Sequence, residues 1–426
     1  MKFETVSVYG LGYIGLPTAA MFASSGVNVI GVDVNNDIIE TINSGSIHII
    51  EPGLDKIVSE CVVNGKLRAT HTPEEADAFI IAVPTPFKST DAQIPEPDLT
   101  YIEQACNNIA KVLKVGNLVI LESTSPVGAT EKVCDWLSKL RPDLVVAGEN
   151  ITNPDVNIAH CPERVLPGKA MDELITNGRI IGGITPQCAK VATSLYQLFV
   201  QASCFETDAR TAEMAKLTEN ASRDLQIAFA NELSIICDEL DINVWKLIKL
   251  ANKHPRVNIL QPGPGVGGHC IAVDPWFIAN AAPAASKLIK LARTVNEDKP
   301  EWVIKKIKNA INTFSATSSD LDKKQLKIVC FGLTFKANID DLRESPALYI
   351  TRQMAKQYAG QVYAVEPNIT NHSLLSNELF TRVSYDEGVD IGDIFVLLVD
   401  HDEFKEQRPI EDHTKIIIDT RGIWSK

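Results

Sequence analysis

Short apolar runs alternate along the chain with segments of helical spacing. Val6–Tyr9 reads as a buried strand, Gly10–Gly15 as a turn, Leu16–Ser25 as a helix, and Val27–Val32 as a second strand ending at Asp33. This is a βαβ opening. Buried runs at Phe79–Val83, Leu118–Leu121 and Arg179–Gly182 carry the alternation to about residue 200 and predict a doubly wound parallel sheet. From Asp208 to about Asn252 there is no Gly or Pro, and Leu217, Ala221, Leu225 and Ala228 recur at helical spacing, which predicts a long connecting helix or helical hairpin. Gln261–Cys270 is a Pro- and Gly-rich loop. A helix is expected from Asp298 to about Asn312, followed by a Ser- and Thr-rich linker over Thr313–Ser319. Lys327–Phe331, Val362–Val365, Ile394–Val399 and Ile416–Asp419 then predict a second α/β sheet. The expected architecture is α/β: two doubly wound units joined by a long central helix, with boundaries at 1–205, 206–312 and 313–426.

Composition narrows the class. With 45% apolar and 22% charged residues over 426 positions, the chain can bury several cores. No apolar run approaches the roughly 18 to 20 residues needed to cross a bilayer, and the start of the chain lacks the basic and apolar segments of a secretory leader. A net charge of −13 argues against nucleic acid or an anionic membrane as the main partner. Nine scattered cysteines without CxxC pairs indicate neither a disulfide framework nor a zinc site, so a reducing, cytoplasmic setting and no metal are expected.

Gly10-Leu11-Gly12-Tyr13-Ile14-Gly15 follows a strand and opens a helix, the context in which GxGxxG has physical meaning. Gly10 permits the tight turn, Gly12 lets backbone approach a pyrophosphate, and Gly15 allows close helix–strand packing, so this stretch, Tyr13 and Ile14 included, is the expected cofactor contact of a Rossmann-like unit. Asp33 would accept hydrogen bonds from an adenosine ribose and repel a 2′-phosphate, which favours NAD over NADP. Thr85 and Thr124 sit in polar loops after two later strands, where a parallel sheet meets its ligand; taken singly, a threonine in such a place is more often a turn or cap residue.

Gly265-Val266-Gly267-Gly268-His269-Cys270 places a thiol directly after a glycine-rich loop, with little steric cover. A thiolate there can add to an aldehyde, give up a second hydride and form a thioester. Lys216, Asn220 and Arg223 lie at i, i+4 and i+7 and share one helix face. An ammonium and an amide on that row suit an oxyanion, or the lysine can shuttle a proton. Glu163, in Cys161-Pro162-Glu163-Arg164, can orient a hydrolytic water. Asp274 can hold that water, balance the lysine, or simply cap a helix.

The fingerprint, Glu213–Asn220, the Gly265–Cys270 loop and Gly332-Leu333-Thr334-Phe335-Lys336 occur in an order and spacing that resembles the UDP-glucose/GDP-mannose dehydrogenase family over the whole chain. The resemblance implies an N-terminal NAD domain, a central helix that makes a homodimer, a C-terminal UDP-binding domain, and two NAD reduced per UDP-sugar. Carried over by position, Cys270 is the nucleophile and Lys216 the general acid/base, with Asn220, Glu163 and Asp274 assisting the oxyanion and the water. Arg164, Val165, Arg223, His254, Arg256, Gly267, Phe335, Lys336 and Arg421 fall where the family contacts the nucleotide sugar, Arg343 where it contacts NAD, and Arg256 reaches the partner subunit's site. Guanidinium groups suit a diphosphate through bidentate hydrogen bonds. One departure concerns Pro167, where UDP-glucose enzymes carry a second glutamate; this points away from glucose and toward a sugar bearing an acetamido group, N-acetylmannosamine before N-acetylglucosamine.

Three other readings share parts of the pattern. A two-electron hydroxy-acid dehydrogenase would need neither Cys270 nor the C-terminal unit. A sugar-nucleotide isomerase or epimerase would recycle its cofactor without net reduction, and a nucleotide-sugar sensor would not use the thiol at all.

Overall fold

The computed structural model describes residues 2–89, 94–148, 151, 153–166, 168–268, 270–317, 326–369, 372–409 and 415–424. Pro167, His269 and the end of the expected linker at 318–319 lie outside the described residues. The chain divides into two compact units, Met1–Glu219 with Asn280–Pro283, and Asn220–Ala279 with Ala284–Lys426.

The first unit carries an eight-stranded sheet. Its strands are Thr5–Tyr9 (β1), Asn28–Val32 (β2), Leu67–Thr70 (β3), Ala78–Ile81 (β4), Leu118–Leu121 (β5), Asn157–His160 (β6), Arg179–Gly183 (β7) and Cys204–Asp208 (β8), in spatial order β3-β2-β1-β4-β5-β6-β7-β8. All pairings are parallel except β6 with β7, which run antiparallel. Strands buried on both faces read as unbroken apolar runs, as Ala78–Ile81 and Leu118–Leu121 do. One face packs on the helix Gly15–Ser24 through Val6, Val8, Leu16, Ala20 and Phe22, and the other on the helices Thr100–Ala110 and Ala129–Leu140 through Phe79, Ile81, Ile109 and Leu137.

The second unit carries a five-stranded, all-parallel sheet of Ile328–Phe331 (β9), Val362–Val365 (β10), Thr381–Arg382 (β11), Ile394–Leu397 (β12) and Ile416–Asp419 (β13), in order β11-β10-β9-β12-β13. This reproduces the 3-2-1-4-5 order of the first half of the other sheet. The likeness reaches the loops: Asp33 Oδ2 after β2 accepts the Leu11 N–H at 2.9 Å, and Glu366 Oε2 after β10 accepts the Leu333 N–H at 2.6 Å.

The expected central helix is Ala209–Glu239, which begins in the first unit and ends in the second. At 31 residues it is the long connecting helix of the expectation; Asp241, at positive φ, then turns the chain into a second, shorter helix, Val244–Ala251. Two boundaries differ from expectation. The later helix runs over Lys287–Thr317, starting well before Asp298 and containing Pro300. It also continues through the first part of the expected linker, because Phe314 is buried against the second sheet's core and ties down a stretch whose composition alone reads as loop.

Candidate active site

In the first unit the fingerprint turn meets its requirements. Gly10 has φ +87, and a Cβ there would lie 2.8 Å from the Ala82 carbonyl oxygen, so only glycine fits. A Cβ at Gly12 would meet nothing within 4 Å, which leaves open space over the backbone where a pyrophosphate is expected. Gly15 packs its Cα against the Gly10 carbonyl with no room for a side chain. Tyr13 is exposed and Ile14 half-buried. The Asp33 carboxylate caps the turn by accepting from Leu11 and from the Asn35 N–H, both at 2.9 Å. Across the sheet edge, Thr85 Oγ1 donates to the Thr124 carbonyl at 2.6 Å, joining the two polar loops. A turn, an acidic residue at the end of β2 and a polar rim together fit a nicotinamide dinucleotide.

Glu163 and Arg164 follow β6. Glu163 is buried and its Oε1 accepts the Arg164 N–H at 2.6 Å. Arg164 in turn forks onto Glu219, with Nε to Oε2 at 3.0 Å and Nη2 to Oε1 at 2.5 Å, and donates to the Gly178 carbonyl. Val165 packs half-buried against the first core. His160, which leads into this loop, is wholly buried, and burial pushes its imidazole down to about 3, so it is neutral at physiological pH. The start of the central helix is anchored by Glu213, whose carboxylate accepts the Gly128 and Thr130 N–H groups at 2.6 and 2.8 Å. That anchoring fixes the helix register three residues before Lys216, which is buried.

Further along the helix, burial fades: Asn220 is half-buried and Arg223 exposed. In the second unit, Asn220 Nδ2 donates to Asp274 Oδ2 at 2.5 Å. Asp274 is the first residue of the helix Asp274–Ala281, and its N–H donates to the Cys270 carbonyl at 2.9 Å. Cys270, Asn220 and Asp274 are therefore tied together, and Asp274 serves the amide as well as opening its helix. All nine cysteines fall among the described residues, and Cys270 alone is exposed; burial pushes Cys106, Cys161 and Cys330 up to about 12.

The loop that presents Cys270 rests on the turn after β9. Gly268 has φ +81, its N–H donates to the Arg343 carbonyl at 3.1 Å, and a Cβ there would lie 2.9 Å from the Phe335 ring. Gly267 abuts Phe335, Glu344 and Pro346. Phe335 is thus half-buried beneath the loop, whereas Lys336 is exposed. Arg343 is exposed and pairs with Asp341. Arg421 follows β13, pairs with Asp400 (Nε to Oδ1, 2.8 Å) and abuts Gly263 in the same loop. His254 and Arg256 are exposed in the turn after Val244–Ala251. Among the described residues no cluster of His, Cys, Asp and Glu is arranged to hold a metal.

Several residues with a part in this arrangement carry no sequence signal. Arg179 opens a run that reads as an apolar strand, yet its guanidinium is buried against Glu163 and Glu122. His401, also fully buried, lies 3.3 Å from Glu366, the residue that holds the β9 turn.

Comparison with known proteins agrees with this geometry. The sequence matches, in order, the NAD binding domain of the UDP-glucose/GDP-mannose dehydrogenase family over residues 4–200, its central domain over 210–298 and its UDP binding domain over 329–426. It is 55% identical over 424 residues, with full coverage of both chains, to the UDP-N-acetyl-D-mannosamine dehydrogenase of Salmonella typhi. It is 56% identical over 427 residues, covering 100% of this chain and 97% of the relative, to an NDP-N-acetyl-D-galactosaminuronic acid dehydrogenase of Ralstonia nicotianae. The structure of a UDP-D-ManNAc dehydrogenase from Pyrococcus horikoshii superposes with a TM-score of 0.85 at 39% identity, covering 98% of this chain and 96% of that one. With a cofactor turn, an exposed thiol and full-length matches in agreement, the chain belongs to the UDP-glucose/GDP-mannose dehydrogenase family and is an NAD-dependent nucleotide-sugar dehydrogenase.

Proposed function

We propose that the enzyme oxidises the C6 alcohol of UDP-N-acetyl-D-mannosamine to the carboxylate in two hydride transfers, with Cys270 holding the intermediate. The observation that carries the chemistry is the exposure of Cys270, alone among nine cysteines, on a glycine loop tied to Asn220 and Asp274. The Gly10–Gly15 turn and Asp33 would hold NAD, which would accept one hydride per molecule, so two NAD would be reduced in turn for each sugar. Lys216 takes the alcohol proton, and Cys270 Sγ adds to the aldehyde carbon to give a thiohemiacetal whose oxyanion Lys216 and Asn220 stabilise. Loss of the second hydride leaves a thioester. Glu163, helped by Asp274, directs a water at its carbonyl, and the acid departs with the thiolate restored. Arg421, Lys336, Arg164 and Arg256 meet the diphosphate and sugar, and Arg343 the cofactor.

The mannosamine sugar is supported by the 55% identical full-length relatives of that name. A second reading has equal weight of identity behind it: the Ralstonia relatives, at 56%, act in their names on an N-acetyl-D-galactosamine-derived sugar. Both are acetamido sugars, in keeping with Pro167 in place of a glutamate. Measuring kcat/KM for UDP-N-acetylmannosamine, UDP-N-acetylgalactosamine, UDP-N-acetylglucosamine and UDP-glucose tests the assignment. The first should lead by at least about tenfold, a margin within what a few pocket contacts supply; a lead by any other sugar overturns it.

Homodimerisation through the central helix is part of the same reading. Phe229 and Ile236 are exposed on it, and Leu240, Ile242 and Leu250 on the turn and short helix that follow, exposed apolar side chains of the kind that mark an interface. No helix among the described residues is long and apolar enough to cross a membrane. Nine scattered cysteines without CxxC pairs favour a reducing, cytoplasmic setting.

A further inference from the structure

Glu163 is held by a buried network. Arg179, at the start of β7, sends Nη2 to Glu163 Oε2 at 2.7 Å and Nη1 to Glu122 Oε1 at 3.4 Å, and is 5% exposed. Its guanidinium lies over the Tyr196 ring, 4.7 Å from the centroid, while Tyr196 Oη donates to Glu122 Oε1 at 3.0 Å. The other Glu163 oxygen accepts the Arg164 N–H. A carboxylate offers about four lone-pair directions. One bond to each oxygen fixes its plane and leaves further lone pairs for a water.

The network is unbalanced in charge, with one guanidinium between two carboxylates. Burial, opposed by Arg179 and reinforced by Glu163, pushes Glu122 up to about 7, so Glu122 is the member that readily holds a proton. Stability alone is a weak reason for such a cluster, since the desolvation of buried ions offsets much of their attraction. Direction is what the fork gives Glu163. A planar guanidinium aims a carboxylate in a way that a flexible ammonium does not.

We propose that Arg179 is the positioning residue for thioester hydrolysis: it fixes the plane of the Glu163 carboxylate so that its remaining lone pairs direct the attacking water. In that step the water oxygen bonds to the thioester carbon, a water proton passes to Glu163, the C–Sγ bond breaks, and its electron pair returns to Cys270. The new carboxyl group releases the second proton, and the carbon stays at the carboxyl oxidation level, so the step needs no oxidant. Arg179 touches neither substrate nor cofactor in this account; it acts through Glu163. The inference rests on the assignment of Glu163 to hydrolysis made above.

The test separates the two oxidations from hydrolysis. Rapid mixing of Arg179→Lys, Arg179→Met and Glu163→Gln with NAD and the UDP-sugar is followed by NADH absorbance, and acid-quenched enzyme is weighed by intact-protein mass spectrometry. Arg179→Lys should keep a burst of two NADH per subunit within about threefold of the wild-type rate. Its steady-state kcat should fall at least about tenfold, the scale of a mispositioned acid–base group, while the acyl adduct on Cys270 accumulates. Arg179→Met should do the same more strongly. A purely structural role would instead slow the burst and the steady state together, with no adduct, and that outcome in Arg179→Lys overturns the proposal. So does wild-type turnover in Arg179→Lys and Arg179→Met alike. If Glu163→Gln shows no adduct, the assignment of Glu163 fails; if Glu163→Gln shows it and the Arg179 variants do not, only the positioning role fails.

Discussion

Replacing Gly267 by alanine should disable catalysis more than it unfolds the protein. A Cβ at that position would stand 2.7 Å from Phe335 Cβ and 2.9 Å from Pro346 Cδ, besides striking the Glu344 carbonyl. Carbon atoms pack at about 3.5 to 4.0 Å, so the two sides must separate by about 1 Å. The wall is the stiffer side. Ser345 Oγ donates to the Leu333 carbonyl at 2.7 Å and accepts the Leu348 N–H at the head of the helix Pro346–Gln357, and Glu344 is already held at positive φ. The glycine loop therefore moves, carrying Cys270 with it. Overpacking of this kind costs about 1–3 kcal/mol, whereas a misplacement of about 1 Å at a reacting group costs about a hundredfold in rate. Steady-state kcat with NAD and the UDP-sugar, beside a thermal melt, is the assay. The expected pattern is a kcat loss near a hundredfold with a cooperative melt retained; a kcat within about threefold of wild type would refute the claim that Phe335 and Pro346 set the position of the thiol.

Two further outcomes follow from the same geometry. Asp33→Ser removes the carboxylate at the end of β2, so kcat/KM with NADP should rise relative to NAD by at least about tenfold; an unchanged cofactor ratio would remove Asp33 from ribose recognition. Lys299, buried beside Ser234 with its ammonium 3.7 Å over the Trp302 ring, is pushed down to about 7 by burial. Between pH 7 and 10 the unfolded lysine binds a proton that the folded one has lost, so wild-type stability gains up to about 1.4 kcal/mol per pH unit from this group as pH rises. The difference in melting temperature between Lys299→Met and wild type should therefore favour the variant more at pH 6 than at pH 9, and the opposite trend would contradict the burial argument.

What the sequence made legible follows from how local each signal is. The Gly10–Gly15 turn and Asp33 are readable because strand, turn and helix are consecutive, and Cys270 because its loop is. Strand β8 escaped notice since Cys204–Asp208 is largely exposed at the sheet edge and has no apolar run. Strand β3, Leu67–Thr70, is broken by the exposed Arg68, and β6, Asn157–His160, has a polar residue at each end, so neither presents an apolar run. The start of the Thr313–Ser319 segment is helix instead of linker because the burial of Phe314, rather than propensity, carries the helix into it. Arg179, Glu122 and Tyr196 are separated by up to 74 residues in the chain and acquire meaning only where folding pairs them. The same holds for His401 and Glu366. Asp274 illustrates the middle case: the sequence offered capping or chemistry, and the hydrogen bond from Asn220 joins the two.

The most direct measurement is the number of NADH formed per UDP-N-acetylmannosamine consumed, with Cys270→Ser alongside. The account predicts two NADH and a uronate product, with no uronate from the variant. One NADH with an aldehyde or ketone product, or two NADH retained in Cys270→Ser, would contradict the thioester route.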